Sequence, residues 1–196
     1  MQIRIIDPVN NIKLYDFSGV VTQQHNDEIC RVTDKLIDQG EYIKQDHPLY
    51  HITGDPFEDR SDDIWKVMRK TFHECCQEYI GHPYKILSTQ SRVTRMIYDP
   101  EIDYTEMWHD HIQDDKLDGL SLSAIWYTNI PDELRQTGKA GTEFAFDWPN
   151  TDNTVFLGPY DFSWILFPNT LTHRPGVLHN SLPRYVMSAD LQYMLL

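Results

Sequence analysis

The spacing of apolar residues changes along this chain, and the change divides it. Ile3, Ile5 and Ile6, then Leu14, Tyr15 and Phe17, mark short strands within residues 1–20. A helical stripe follows at Ile29, Val32, Leu36 and Ile37, with Asn26 suited to cap it and Gly40 to end it. Residues 41–60 read as loop, punctuated by Pro48, Gly54 and Pro56. A second helix is predicted after Ser61, where Asp62 and Asp63 favour the positive end of its dipole. Its stripe is Ile64, Val67, Met68, Phe72, Cys75, Tyr79 and Ile80, and Gly81 stops it.

From about residue 86 the runs become short and strand-like. They are Arg92–Tyr98, Leu120–Asn129, Thr142–Trp148, Phe162–Phe167 and Tyr185–Leu196. Turn signals at Asp99-Pro100, Ile130-Pro131, Pro149-Asn150 and Gly158-Pro159 separate them. The near-continuous apolar run Ser163 to Phe167 predicts a strand buried on both faces. Helices followed by many short strands predict an α+β, mainly β fold. The expected form is a double-stranded β-helix (jelly roll) with N-terminal helices packed on one sheet. A single domain is expected over 1–196, with strands and supporting helices in 1–85 and the jelly-roll core in 86–196.

Composition narrows the partners. A formal charge of -13 disfavours sequence-independent nucleic-acid binding, which needs clustered cations. No apolar run approaches the roughly 20 residues of a membrane helix, and the N-terminus lacks the shape of a secretory signal. Three cysteines, two of them adjacent at Cys75 and Cys76, make no disulfide framework. A reducing interior fits, so the expected compartment is the cytoplasm.

The candidate chemistry lies in Trp108-His109-Asp110-His111, in His173 and in Arg184. Imidazoles at i and i+2 of an extended segment point the same way, and Asp110 between them points away. A third imidazole from His173 can close a three-point face around a metal. Imidazole suits iron, copper, nickel and zinc, so the ligands alone do not choose the ion. Arg184, eleven residues past His173, can hold a carboxylate bidentately. Its structural alternative is a salt bridge with Asp190 or Glu143. His73 and Cys76 stand at helical spacing but have no second ligand pair nearby, and Cys75 reads as core.

In the order and spacing of these segments the chain resembles the Fe(II)- and 2-oxoglutarate-dependent dioxygenase superfamily. Within it, the likeness is to prolyl-hydroxylase-like members and small phage-type oxygenases. The resemblance covers roughly residues 90–196. Arg95 to Pro100 resembles a strand ending in a tyrosine and a turn. Trp108 to His111 stands at the His-x-Asp motif, and Leu122 to Asn129 at the "Tyr-Leu-Asn" strand. Gly141 to Phe144 resembles the Gly-Gly-Thr-x-Phe strand. Phe167 to His173 carries the distal histidine, and Arg184 to Ser188 the cosubstrate arginine.

The resemblance implies Fe(II) held by His109, His111 and His173. It implies 2-oxoglutarate held by Arg184 and Tyr127 at its far carboxylate, with Tyr98 near its metal-bound end. It also implies dioxygen as co-reactant, and hydroxylation of a C–H of an unidentified peptidyl or small-molecule substrate with succinate and CO2 as co-products. One departure matters. The family usually has an aspartate where this chain has His111, and three neutral imidazoles leave Fe(II) with one more positive charge than two imidazoles and a carboxylate do.

Two other readings stay open at this point. One is a cupin-like three-histidine dioxygenase without 2-oxoglutarate, in which Arg184 holds the substrate's carboxylate. The other is a non-catalytic jelly-roll binding module, for which a closed zinc shell needs a fourth ligand such as His179 or Asp110. Asp114 is a further substitute carboxylate.

Overall fold

The computed structural model describes residues 1–44, 49–97, 107–111, 120–176 and 182–196, with backbone alone at Lys44, Leu49 to His51 and Thr151. In chain order the elements begin with β1 (Gln2–Asp7), β2 (Ile12–Asp16), α1 (Gln23–Asp38), β3 (Tyr42–Lys44) and β4 (Leu49–Ile52). Next come α2 (Pro56–Asp59), α3 (Asp63–Ile80), β5 (Tyr84–Met96), β6 (Leu120–Asn129) and α4 (Asp132–Arg135). The chain ends with β7 (Thr142–Asp147), β8 (Asn150–Leu157), β9 (Ser163–Pro168), β10 (His173–Pro175) and β11 (Arg184–Leu195).

The strands form two antiparallel sheets. The larger has eight strands in the order β1-β2-β9-β6-β11-β5-β4-β3, and the smaller has three in the order β10-β7-β8. This is the expected mainly β jelly roll with helices on one sheet. The central strands explain their own sequences. Alternate residues of β6, β9 and β11 serve two different cores. Leu122, Ala124, Trp126, Trp164, Leu166, Met187, Ala189 and Leu191 pack with the residues of α1 and α3. Ile125, Tyr127, Ile165, Phe167 and Val186 face the smaller sheet and meet Phe144 and Leu157. A strand covered on both faces has no solvent side, so its sequence reads as a continuous apolar run rather than an alternating one.

Two indoles of the helix-side core find partners, while Trp65 Nε1 is buried without one. Trp126 Nε1 donates to Asn26 Oδ1 at 3.0 Å, and Trp164 Nε1 donates to Thr71 Oγ1 at 3.0 Å. This corrects the expected helix start. Thr22 is the N-cap of α1, its N–H donating to His25 Nδ1, while Asn26 is a buried acceptor one turn inside the helix. Residues 41–60 are also more ordered than expected. β3 and β4 lie there, with β4 paired to β5, and α2 begins at Pro56 with Asp55 accepting from the Phe57 N–H. Three- and four-residue strands show too little alternation to be read locally; the pairing of β4 to β5 and of β3 to β4 creates them. β8, which pairs along β7, likewise escaped the apolar pattern because Asn150 to Thr154 is polar.

Phe72 is fully buried between Phe57 and Trp164, with ring centroids at 5.7 and 5.6 Å. Phe72→Ala is expected to cost about 3–5 kcal/mol in urea unfolding by the combined transfer and cavity terms. Among the described residues no helix is long and apolar enough to cross a membrane.

Candidate metal centre

The segment 107–111 lies antiparallel beside the turn that leads into β10. His109 and His173 exchange both backbone hydrogen bonds, at 3.0 and 2.9 Å. One step along, the His111 N–H donates to the Asn169 carbonyl at 3.0 Å, and Asn169 Nδ2 donates back to the His111 carbonyl at 3.0 Å. This pairing brings three imidazoles together. Ring centroids are 5.3 Å apart for His109 and His111, 4.5 Å for His109 and His173, and 5.0 Å for His111 and His173. One candidate ligand nitrogen from each ring lies within 4.8 Å of the other two. Asp110 is exposed and stands outside the cluster, as the alternation of an extended segment requires.

The other ring nitrogens are already engaged. His109 Nδ1 lies 2.9 Å from the Met107 carbonyl, and His173 Nδ1 lies 2.9 Å from the Leu171 carbonyl. A carbonyl oxygen only accepts, so Nδ1 carries the proton in both rings and Nε2 keeps its lone pair. His173 is 4% exposed between the rings of Phe144 and Phe167, and burial lowers its pKa well below the usual value. It therefore stands as a neutral imidazole. His111 Nδ1 faces a carboxylate instead, Asp190 Oδ1 at 2.7 Å. Sequence reading had Asp190 only as an alternative partner for Arg184. The available signal was an acidic residue on the inward face of a strand whose other face is apolar.

Arg184 opens β11 and is 1% exposed. Its Nη2 donates to the Gly141 carbonyl at 3.0 Å and its Nη1 to the Gly176 carbonyl at 3.3 Å, while Nε has no hydrogen-bond partner. The backbone comes this close because neither residue has a Cβ. An added one would stand 2.1 Å from the Leu157 carbonyl oxygen at Gly141 and 1.9 Å from the Lys139 carbonyl oxygen at Gly176. The guanidinium carbon lies 5.6 Å from the Tyr127 ring centroid. Burial lowers the Arg184 pKa and pushes that of Tyr127 up to about 12.

The Tyr127 hydroxyl lies 2.8 Å from Thr142 Oγ1 and 3.1 Å from the Leu157 carbonyl. Neither expected salt-bridge alternative forms. Glu143 pairs with Arg174 at 2.7 Å across β7 and β10, and Asp190 faces His111. Among the described residues Arg184 has no carboxylate partner. Tyr98, Asp114 and His179 lie outside the described residues.

No protein-family model and no curated protein sequence matches this chain. Solved structures do resemble it. A Pseudomonas putida prolyl-4-hydroxylase superposes with a TM-score of 0.62 at 10% identity, covering 93% of this chain and 92% of that one. The fold is that of the prolyl-hydroxylase-like 2-oxoglutarate oxygenases. The viral collagen prolyl hydroxylase of Paramecium Bursaria Chlorella virus-1, in its 2-oxoglutarate complex, gives a TM-score of 0.54 at 16% identity over 94% of this chain and 97% of that one. HygX from Streptomyces hygroscopicus, with nickel and 2-oxoglutarate bound, gives 0.61 at 9% identity over 93% and 82%.

Proposed function

We propose that this chain is an Fe(II)- and 2-oxoglutarate-dependent dioxygenase that hydroxylates a C–H of a peptidyl or small-molecule substrate. The observation that carries the reading is Arg184. A fully buried guanidinium with an open Nε–H and no carboxylate partner among the described residues is costly on its own. A ligand carboxylate offsets that cost with charge-assisted bonds. The three-histidine cluster in the same jelly roll supports the reading, as do the resembling structures.

The donor set fits the metal. Three neutral imidazole nitrogens suit Fe(II). His109, His111 and His173 would hold it, and bound iron with its cosubstrate would supply the oxidising chemistry. The protein's own part is placement. The Met107 and Leu171 carbonyls aim two imidazoles. Arg184 fixes the far carboxylate of 2-oxoglutarate and Tyr127 flanks it. Phe144 and Phe167 keep water from the inner side of His173. The resemblance implies a role for Tyr98 near the metal-bound end.

Conversion of 2-oxoglutarate to succinate, followed by NMR with Fe(II) and oxygen, tests the assignment. Slow turnover without the prime substrate is expected from the native protein and none from His173→Ala. Fe(II) binding with no 2-oxoglutarate bound or consumed would instead favour the three-histidine dioxygenase, with Arg184 holding a substrate carboxylate.

A further inference from the structure

Three neutral imidazoles bring no negative charge to a divalent ion. The departure at His111 therefore leaves the centre short of the charge that the resembling family supplies with its aspartate. Among the described residues one carboxylate is hydrogen-bonded to a ring of the cluster. Asp190 Oδ1 lies 2.7 Å from His111 Nδ1, and both side chains are 17% exposed. Asp190 is fixed in turn. It stands opposite Ser123 in the β11–β6 register, and Ser123 Oγ donates to the same Oδ1 at 2.6 Å. Ser123 is 1% exposed. His111 is fixed from its backbone by the two bonds to Asn169.

We infer that Asp190 is a positioning residue that returns the missing negative charge to the metal through the His111 ring. This rests on the three histidines holding the metal. The Nδ1–H of His111 donates to Asp190, which sets the tautomer and turns Nε2 toward His109 and His173. The hydrogen bond to a carboxylate also makes the ring a stronger electron donor to the metal, a role that outer partners of metal-bound histidines commonly fill. His111 takes the ligand place, and charge that would sit on the ion arrives one hydrogen bond away. At Nδ1 the other two histidines meet neutral carbonyls, whereas His111 meets the Asp190 carboxylate.

The test uses the full chain and the metals alone. Asp190→Asn keeps shape and an acceptor but removes the charge. Mn(II) or Co(II) binding measured by calorimetry is expected to weaken at least tenfold, within the ten- to hundredfold range for such partners. The Fe(III)/Fe(II) potential is expected to rise, because the ferric ion loses more from a missing anion. Ser123→Ala should give a smaller change in the same direction, and it carries the test if Asp190→Asn folds poorly. In a His111→Gln background, Asp190→Asn should add almost nothing to the loss, because its route to the metal is gone. Equal affinity and equal potential in native protein and Asp190→Asn would overturn the inference and leave the three-histidine site standing. A native protein that binds no metal, or a His173→Ala variant that binds as well as native, would overturn the ligand set itself.

Discussion

His173→Ala is expected to abolish stoichiometric Fe(II) or Mn(II) binding. The residue stands at the centre of the cluster, with ring centroids 4.5 Å from His109 and 5.0 Å from His111. Removing it leaves two imidazoles at i and i+2, a pair that surface loops also present by chance. Native protein saturated at about 100 times its dissociation constant should gain about 2.7 kcal/mol by mass action, and the variant none. His173 also packs on Phe144 and Phe167, so truncation leaves a cavity. His173→Leu is the companion variant, which fills the space and still donates no lone pair. Both should keep the native far-ultraviolet spectrum and fail to respond to metal. Asp110→Asn should bind like native, because Asp110 is exposed and outside the cluster. If Asp110→Asn loses the metal while His111→Ala keeps it, the second ligand has been misassigned. Unchanged affinity in both His173 variants would remove the metal centre from the account.

The parts of this molecule legible in its sequence are those whose periodicity is local. α3 runs from Asp63 to Ile80 and ends at Gly81 with φ of +68°, as its stripe and stop signal predict. β6 matches its expected bounds, because Ile130-Pro131 marks its end and the run Ala124 to Tyr127 is apolar and buried on both faces. What escaped was set by partners far along the chain. β3 and β4 exist as a sheet edge against β5, and nothing in Tyr42 to Ile52 alternates strongly enough to announce it. Asn26 carries a strong capping propensity, yet the buried indole of Trp126 claims it a full turn inside the helix. At the site, His109, His111 and His173 were readable because strand alternation and motif order are sequence properties. Asp190 was not, because its meaning depends on the β11–β6 register that sets it beside Ser123 and under His111. A one-residue slip would have turned it toward the helices.

Arg184 gives the second large effect, and it acts in opposite directions on stability and on binding. The guanidinium is buried with two backbone carbonyls and no anion among the described residues. Burial lowers its pKa, the mark of a charge held against its solvation preference. A buried charge without an anionic partner costs solvation that an apolar side chain of similar length does not. Arg184→Met is therefore expected to leave the ligand-free protein as stable as native or more so in urea.

The same change should cost 2-oxoglutarate about 2–5 kcal/mol of binding, the loss on removing one partner of a buried charge pair. At about 1.4 kcal/mol per decade that is roughly thirtyfold to several thousandfold. Arg184→Lys keeps the charge but loses the planar fork, and about 1.5–3 kcal/mol should go, roughly ten- to hundredfold. Tyr127→Phe should cost less than either, since it deletes one neutral hydroxyl and leaves the cation. Metal binding should survive all three. The measurement is calorimetric titration of 2-oxoglutarate into Mn(II)-loaded protein without oxygen, beside urea unfolding of the same variants. A structural arginine would show the reverse pattern, with Arg184→Met unfolding early and Arg184→Lys binding 2-oxoglutarate as tightly as native. That outcome would leave the three histidines without their cosubstrate and move the three-histidine dioxygenase ahead.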